Sequence, residues 1–329
     1  MSDKIPYVIG FDLGGTKILA ALFDRRFRLL AEFKAKSKPH KGEQNFLRTL
    51  KNCFDELLHQ SGVKRSEIAG IGVGCPGLID EKRGVVLSSP NLAFMGNMRL
   101  GARIGRLCRL PVVLGNDVNI GLFGEHQFGA ARGYSHVVGM FIGTGIGGAL
   151  ILNGELYGGA TGGAGEIGHL QVDREGPRCG CGRQGCLEAL CSRLSIATEA
   201  AALAARQVAP VLLSSAGTNI LDIKSGQLAE AVRSGDRSIL ELLRRKSRVI
   251  GRVMADVVNL LSPELIVLGG GLVEALPRLI VKEATRSMRS QAMPGLVRHV
   301  KVAAARLGDH AIVMGAAKRA LDKFSHDKR

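Results

Sequence analysis

Residues 7–23 read YVIGFDLGGTKILAALF, which places two apolar runs on either side of a glycine turn. The runs Tyr7–Asp12 and Lys17–Phe23 predict two strands, and Leu29–Lys36 predicts a third. A similar stretch, VVGMFIGTGIGGALIL, occupies residues 137–152. The sequence therefore predicts an α/β protein with two halves that begin in the same way.

Further elements follow from the spacing of apolar residues. Helices are predicted over residues 46–58, 100–110, 118–128, 187–205, 239–261 and 310–323, and strands over 68–75, 112–114, 265–268 and 300–304. The stretch 208–219 contains proline, serines and glycine and is predicted to be an irregular connection. We expect two domains, one of residues 1–116 plus 312–329 and a larger one of residues 117–311.

The composition is that of a soluble globular protein. Of the 329 residues, 46% are hydrophobic and 22% are charged. The first residues lack the apolar segment of a signal peptide. The longest apolar run, Val137–Leu152, is interrupted by glycines and is shorter than the roughly 20 residues of a membrane helix. We expect a cytoplasmic protein with no membrane partner.

The formal charge of +16 raises the question of nucleic-acid binding. The basic residues are spread along the chain, only 4% of residues are aromatic and tryptophan is absent, so surfaces for base stacking are not indicated. A basic, solvated surface that attracts anionic substrates is the interpretation that fits. We expect no nucleic-acid partner.

Two glycine turns join strand to strand at matching positions of the halves, which predicts a nucleotide site between them. Their backbone N–H groups can bind phosphate oxygens, and Asp12 can hold Mg²⁺ through water. Neither turn has the P-loop pattern, and a dinucleotide-binding turn would lead into a helix. A glycine turn alone is more often just the tight turn of an ordinary hairpin. The predicted ATP and Mg²⁺ residues are Asp12, Gly14, Gly15, Thr16, Lys17, Thr144, Gly145, Gly147, Gly270 and Gly271.

Asn116 and Asp117 follow a predicted strand in the middle of the chain. A carboxylate at a strand end can accept the proton of a substrate hydroxyl while that oxygen attacks a γ-phosphoryl group. Asp117 is equally typical of the N-cap of the helix that follows. The residues themselves leave both roles open.

Three cysteines and one histidine form a predicted metal site. Cys179, Cys181 and Cys186 lie within eight positions, and His169 precedes Cys179 by ten residues. Three thiolates and one imidazole are ligands of a closed, tetrahedral structural zinc site. Free thiols or a disulfide are the alternatives, and disulfides are rare in a reducing compartment. We predict a structural Zn²⁺ that fixes the loop and performs no chemistry.

Five segments together resemble the ROK family of bacterial sugar kinases and repressors. They read DLGGTK at 12–17, NDVN at 116–119, GTGIG at 143–147, EIGH at 166–169 and CGCGRQGCLE at 179–188. The similarity runs from about residue 7 to about residue 320. It implies the actin-like, hexokinase-type (ribonuclease H-like) ATPase fold, with a sugar in the cleft between two domains. It also implies a homodimer.

The resemblance assigns roles to individual residues. Asp117 is implied to be the general base for the 6-hydroxyl of a sugar. His169 is implied to bind zinc through one ring nitrogen and the sugar through the other, which fixes its tautomer. The residues implied to bind the sugar are Gly77, Asn91, Asn116, Asp117, Glu166, His169 and Glu188.

The implied activity is transfer of phosphate from ATP to a hexose. Glucose is the first expectation, and N-acetylglucosamine, N-acetylmannosamine, mannose and fructose are the alternatives. A sugar-sensing regulator is the rival of another class, although we expect no N-terminal DNA-binding segment because the first strand begins near Tyr7. Polyphosphate is a second possible donor. The chain departs from the family pattern at Arg193, where effects on the hinge, on donor contacts or on the surface stay open.

Overall fold

A computed structural model of the chain describes residues 7–89 and 92–325, which form two compact units. Unit 1 contains the residues up to Arg132, Leu156–Ala164 and the residues from Asp309 onward. Unit 2 contains Gly133–Glu155 and Gly165–Gly308. The predicted boundary at residue 116 is therefore moved to residue 132, because the helix that begins at Asp117 packs within unit 1.

The strands are numbered along the chain. They are β1 (Tyr7–Leu13), β2 (Lys17–Asp24), β3 (Leu29–Lys36), β4 (Ile68–Cys75), β5 (Leu78–Asp80), β6 (Val85–Ser88), β7 (Val112–Asn116), β8 (Val137–Ile142), β9 (Ile146–Leu152), β10 (Glu155–Leu156), β11 (Leu265–Gly269) and β12 (Lys301–Ala304).

The helices are numbered in the same way. They are α1 (Gly42–Ser61), α2 (Leu100–Cys108), α3 (Asp117–Phe128), α4 (Leu187–Cys191), α5 (Arg193–Ala205), α6 (Pro210–Ala216), α7 (Ser225–Arg233), α8 (Arg237–Leu261), α9 (Gly271–Ala275), α10 (Pro277–Gln291), α11 (Pro294–Val297) and α12 (His310–Phe324).

The sheet of unit 1 has the order β3-β2-β1-β4-β7. β1, β2 and β3 form an antiparallel meander, whereas β1, β4 and β7 run parallel. Side chains of a strand alternate between the two faces of a sheet. In β1, Ile9 and Phe11 pack in the core that also contains Phe46 of α1, and Val8 packs on the opposite face with Val313 of α12. Asp12 shares the parity of Val8 and is expected on the α12 face.

Close backbone contact holds α12 against this sheet. A Cβ atom on Gly10 would lie 1.9 Å from the carbonyl oxygen of Val313, and one on Gly72 would lie 1.8 Å from that of Ala316. Both distances are far below van der Waals contact, so only glycine fits at these strand positions. The final helix of the chain is thereby packed onto the two central strands of unit 1.

The sheet of unit 2 repeats the same plan with the order β10-β9-β8-β11-β12. β8 pairs antiparallel with β9, and β8, β11 and β12 run parallel. The glycine turn between β8 and β9 thus corresponds to the turn between β1 and β2. The prediction that the second half repeats the opening of the first is confirmed. Helices α4, α5, α7 and α10 pack against the long helix α8 in this unit.

Two predicted elements differ in the structure. The helix expected over 187–205 is broken at Ser192, whose backbone is extended and whose hydroxyl accepts from the N–H of Ser195 as the N-cap of α5. The stretch 208–219, predicted to be irregular, contains α6 with Pro210 at its first position. Proline is favourable there because the first helical N–H has no partner within the helix.

No single helix among residues 7–89 and 92–325 is both long and apolar enough to cross a membrane. Helices α4 and α5, taken with α6, meet the length and composition only as a pair bent by 108°. Ile196, Ala200 and Leu212 of that pair are fully buried within unit 2. Packing in the core accounts for its apolar composition.

Replacing Gly72 by alanine should destabilise unit 1, because the new methyl group would overlap the Ala316 carbonyl of α12. We expect a loss of about 1–3 kcal/mol in the free energy of unfolding, the usual cost of overpacking, measured by urea denaturation. Gly226→Ala in α7 is the matched control, since nothing lies within 4 Å of its Cβ position. Equal stability of the two variants would contradict the proposed packing of α12.

Candidate active site and metal centre

Asp12 and Asn116 lie at the carboxyl ends of two parallel strands on either side of β4. Asp12 pairs with Gly74 of β4, and Asn116 pairs with the adjacent Cys75. Neighbouring strands are about 4.8 Å apart, so the two backbone positions are separated by roughly 10 Å. Asp117 follows Asn116 as the first residue of α3. The carboxyl ends of parallel strands are where ligands bind in open α/β sheets.

Asn116, and not Asp117, is the N-cap of α3. Its Oδ1 atom accepts from the N–H groups of Val118 at 3.0 Å and Asn119 at 3.1 Å, while its Nδ2 donates to the Gly77 carbonyl at 3.0 Å. An asparagine side chain has two acceptor sites and two donors, and within residues 7–89 and 92–325 one of the two donors of Asn116 is used. Asp117 Oδ1 accepts from Val118 N–H at 2.9 Å.

The sequence left open whether Asp117 caps α3, and in the structure the cap is its neighbour Asn116. The base role of Asp117 stays a prediction. Gly77, which the sequence analysis placed at the sugar, has a φ of 111° and holds the Asn116 side chain through its carbonyl group. Asn91 lies outside the described residues.

Asp12 is only 8% exposed. Burial, followed by the negative charge of Asp117, raises the pKa of the Asp12 carboxyl to about 7, against a partial lowering by Lys17. Both causes disfavour the carboxylate form of Asp12. A divalent cation at this position would relieve them, and carboxylate oxygens are the ligands that Mg²⁺ prefers. The residues present therefore fit Mg²⁺.

Lys17 is paired with a carboxylate that the sequence analysis missed. Its Nζ lies 2.7 Å from Oδ1 of Asp309, whose other oxygen lies 3.3 Å from Nζ of Lys34. The two lysines hold the pKa of Asp309 below its usual value. Asp309 immediately precedes α12, and an aspartate at a helix start was the only signal of it in the sequence.

The β1–β2 turn is a closed hairpin. The N–H of Gly14 donates to the Lys17 carbonyl at 2.9 Å, and the Thr16 carbonyl accepts from Ser37 N–H at 3.1 Å. Thr16 is exposed, whereas Gly14, Gly15 and Lys17 are half-buried. The hydroxyl of Thr16 at the tip is therefore accessible to an anion.

The second turn carries Thr144, Gly145 and Gly147 in unit 2. The Gly143 N–H donates to the Gly145 carbonyl at 2.9 Å, and Thr144 is exposed at the tip. Glu188, predicted to bind sugar, contacts this turn, because its Oε2 accepts from the Ile146 N–H at 2.8 Å. Gly270 and Gly271 follow β11 at the start of α9. The structure thus brings Glu188 to the turn predicted for ATP.

The predicted zinc ligands come together in unit 2. Ligand atoms of His169, Cys179, Cys181 and Cys186 all lie within 4.8 Å of one another. Sγ of Cys181 is 3.7 Å from Sγ of Cys186, and Sγ of Cys179 is 3.6 Å from Nδ1 of His169. Sulfurs about 2.3 Å from a tetrahedral zinc lie about 3.8 Å apart, whereas a disulfide bond is about 2.0 Å long. The donors and their spacing fit Zn²⁺.

A close backbone contact like those of Gly10 and Gly72 holds the segment 166–169 against β9. A Cβ atom on Gly168 would lie 2.0 Å from the Ile146 carbonyl oxygen. This contact fixes the single 3₁₀ turn Ile167–His169. The Nδ1 atom of His169 then faces Cys179, and its Nε2 lies 3.9 Å from Oε2 of Glu166. One ring nitrogen thus lies beside a predicted metal ligand and the other lies near a sugar-binding candidate, and the predicted double role of His169 stays a prediction.

The chain is similar to known proteins over nearly its whole length. The model of the ROK family matches residues 8–323. A glucokinase of Thermotoga maritima is 31% identical over 94% of this chain and 96% of its own length. A xylose repressor of Caldicellulosiruptor bescii is 27% identical over 96% of this chain and 78% of the repressor.

A solved structure gives the same fold. The ROK family glucokinase of Streptomyces griseus, in complex with glucose and AMPPNP, has a TM-score of 0.84 at 32% identity, over 96% of this chain and 99% of that protein. The predicted actin-like, hexokinase-type fold is confirmed.

The Asp12→Asn variant should reveal the cost of the buried charge. The pKa of Asp12 is about 7 in the native state, whereas the unfolded carboxyl ionises with its ordinary pKa of 3.8. Stability associated with this group is therefore lost as the pH rises from about 4 to about 7. The asparagine variant lacks this loss. Its stability advantage over the natural protein should grow by on the order of 3 kcal/mol between pH 5 and pH 8.

Urea denaturation at the two pH values, without added divalent cations, measures this difference. Asp256→Asn on the exposed face of α8 is the control and should show no pH-dependent advantage. An advantage of Asp12→Asn that is the same at both pH values would contradict the raised pKa of Asp12.

Removing a cysteine ligand should remove the metal. We expect the purified protein to contain about one zinc per chain and Cys181→Ser to contain almost none, because a serine hydroxyl is a poor ligand for zinc in place of a thiolate. Elemental analysis after dialysis gives the zinc content. Cys108→Ala is the control, since Cys108 is buried in the unit 1 core. Equal zinc content in Cys181→Ser and Cys108→Ala would count against the zinc site.

Proposed function

Since this chain belongs to the ROK family, we propose that it is a sugar kinase that transfers the γ-phosphoryl group of ATP to the 6-hydroxyl of glucose. The observation that carries the proposal is the pair of carboxylates at the carboxyl edge of the unit 1 sheet. Asp12 is buried beside Asp117, and Asn116 takes the capping role. Such a pair suits the binding of a cation and the acceptance of a proton.

In the proposed reaction, Asp117 accepts the proton of the 6-hydroxyl while that oxygen forms a bond to the γ-phosphorus. The bond between the γ-phosphorus and the β–γ bridging oxygen breaks, and ADP leaves. Phosphoryl transfer requires mainly positioning and neutralisation of charge. Asp117 lies in the first turn of α3, next to the Asn116 cap, so the backbone that carries its carboxylate is held in place.

The cation would be held by Asp12. Mg²⁺ neutralises phosphate charge when it is bound with ATP. The Asp12 carboxyl must lose its proton before the carboxylate can serve as a ligand. Nucleotide contacts are proposed for the two glycine turns and the strand end that follows β11, through Gly14, Gly15, Thr16, Lys17, Thr144, Gly145, Gly147, Gly270 and Gly271.

Sugar recognition is proposed for Gly77, Asn91, Asn116, Glu166, His169 and Glu188. In unit 2, the support comes from the metal ligands, because His169 lies in the thiol cluster and Oε1 of Glu188 is 3.9 Å from Sγ of Cys179. The zinc, when bound, would supply rigidity and no chemistry. Glucose is proposed as the sugar because the glucokinases of Thermotoga maritima and Streptomyces griseus are similar to this chain over most of its length, at 31% and 32% identity.

A panel of sugars tests the activity. Release of ADP from Mg²⁺-ATP should be fastest with glucose among glucose, mannose, fructose, N-acetylglucosamine and N-acetylmannosamine. Higher kcat/KM for another sugar would retain the kinase and change its substrate. Sugar binding without ADP release would instead favour a sensor, which the likeness to a xylose repressor makes the second candidate.

The Asp117→Asn variant tests the proposed base in the same assay. We expect kcat to fall by at least about 100-fold, the contribution of general-base catalysis, while glucose affinity measured by calorimetry is retained. Asp256→Asn on α8 is the matched control and should turn over normally. Normal turnover of Asp117→Asn would contradict the role of Asp117 as the base.

A further inference from the structure

We propose that Arg193 is a binding residue for the phosphate chain of the nucleotide, acting beside Thr144 at the second glycine turn. This inference rests on the proposed function and concerns the same site. Arg193 is the first residue of α5, directly after the break at Ser192. It was left without a role by the sequence, which predicted one continuous helix through this position.

Arg193 is attached to the second glycine turn at two points. Its backbone N–H donates to the Gly143 carbonyl at 2.9 Å, and its Nη2 donates to Oγ1 of Thr144 at 3.1 Å. The break in the helix is the reason for this arrangement. An uninterrupted helix would pair the Arg193 N–H with the carbonyl four residues earlier, whereas the extended Ser192 releases it to the turn.

The guanidinium group retains donors for a ligand. Nη1 donates to the Ile223 carbonyl at 3.3 Å, so two contacts of the side chain are made within unit 2. A guanidinium group has five N–H donors in a planar fork, and it stays charged at every physiological pH. Within the described residues, three of the five donors of Arg193 therefore remain beside an exposed threonine hydroxyl.

The charge of Arg193 is also not neutralised. Within the described ranges 7–89 and 92–325, no carboxylate forms an ion pair with Arg193, whereas Lys17 at the first glycine turn is paired with Asp309. Both bonds of the Arg193 side chain go to neutral oxygens. A cation held in this way binds an anion without first giving up a carboxylate. Phosphate oxygens match the guanidinium fork in geometry and charge.

The inference predicts an effect that depends on the number of phosphates. Calorimetry with AMP, ADP and AMPPNP, each with Mg²⁺, should show nearly equal AMP affinity for Arg193→Gln and the natural protein. The affinity for AMPPNP should fall by at least about tenfold, as expected for the loss of a charge-assisted hydrogen bond. In the kinase assay, KM for ATP should rise while KM for glucose stays within about twofold.

Two further variants separate binding from structural support. Arg206→Gln, at the opposite end of α5, is the matched control and should leave all three affinities unchanged. Arg193→Lys keeps the charge and loses the fork, so it should fall between Arg193→Gln and the natural protein. It also serves as the test variant if Arg193→Gln does not fold.

Each outcome decides the matter. Equal losses for AMP and AMPPNP, or a lower melting temperature with unchanged nucleotide affinity, would assign Arg193 to bracing the Ile223 carbonyl and overturn the inference. Equal AMPPNP affinity in Arg193→Gln and the natural protein would overturn the inference alone. Failure of the natural protein to bind AMPPNP at all would overturn the proposed kinase function and this inference with it.

Discussion

The burial of Asp12 next to Asp117 is the constraint on which the proposed chemistry depends. Burial of Asp12, followed by the negative charge of Asp117, raises the pKa of Asp12 to about 7. The fold maintains this unfavourable pair through backbone packing. Helix α12 contacts the glycines of β1 and β4, and α3 begins at the end of β7. Stability that packing supplies elsewhere in unit 1 therefore offsets the cost of a site prepared for a cation.

Unit 2 has a sheet of the same plan, but its site candidates are held in a different way. Two of its site candidates, Cys181 and Glu166, lie on exposed parts of loop segments. Four ligands arranged around one point can order such a loop when zinc is bound. Glu188 then connects this loop with the β8–β9 turn through the Ile146 N–H. Hydrogen bonds and the close Gly168 contact thus hold these segments of unit 2, and a bound zinc would add ligation to them.

The two glycine hairpins have different charged neighbours. In unit 1, Lys17 forms an ion pair with Asp309, which also pairs with Lys34. In unit 2, the basic side chain comes from another element, α5, and its partners among the described residues are neutral oxygens. The internal repeat of the fold therefore does not extend to charge. Each turn has a different charged partner, Asp309 in one case and Arg193 in the other, that lies far away in sequence.

Local pattern in the sequence determined the strands, most helices, the repeat of the two halves and the group of predicted zinc ligands, because alternation, helical spacing and ligand spacing act over a few residues. Tertiary structure alone decided that Asn116 caps α3, that Asp309 pairs with Lys17, and that Arg193 reaches Thr144. These contacts join segments up to hundreds of residues apart or turn on a choice between neighbouring side chains. Burial and hydrogen-bond geometry settle such choices, and neither is written in the local pattern.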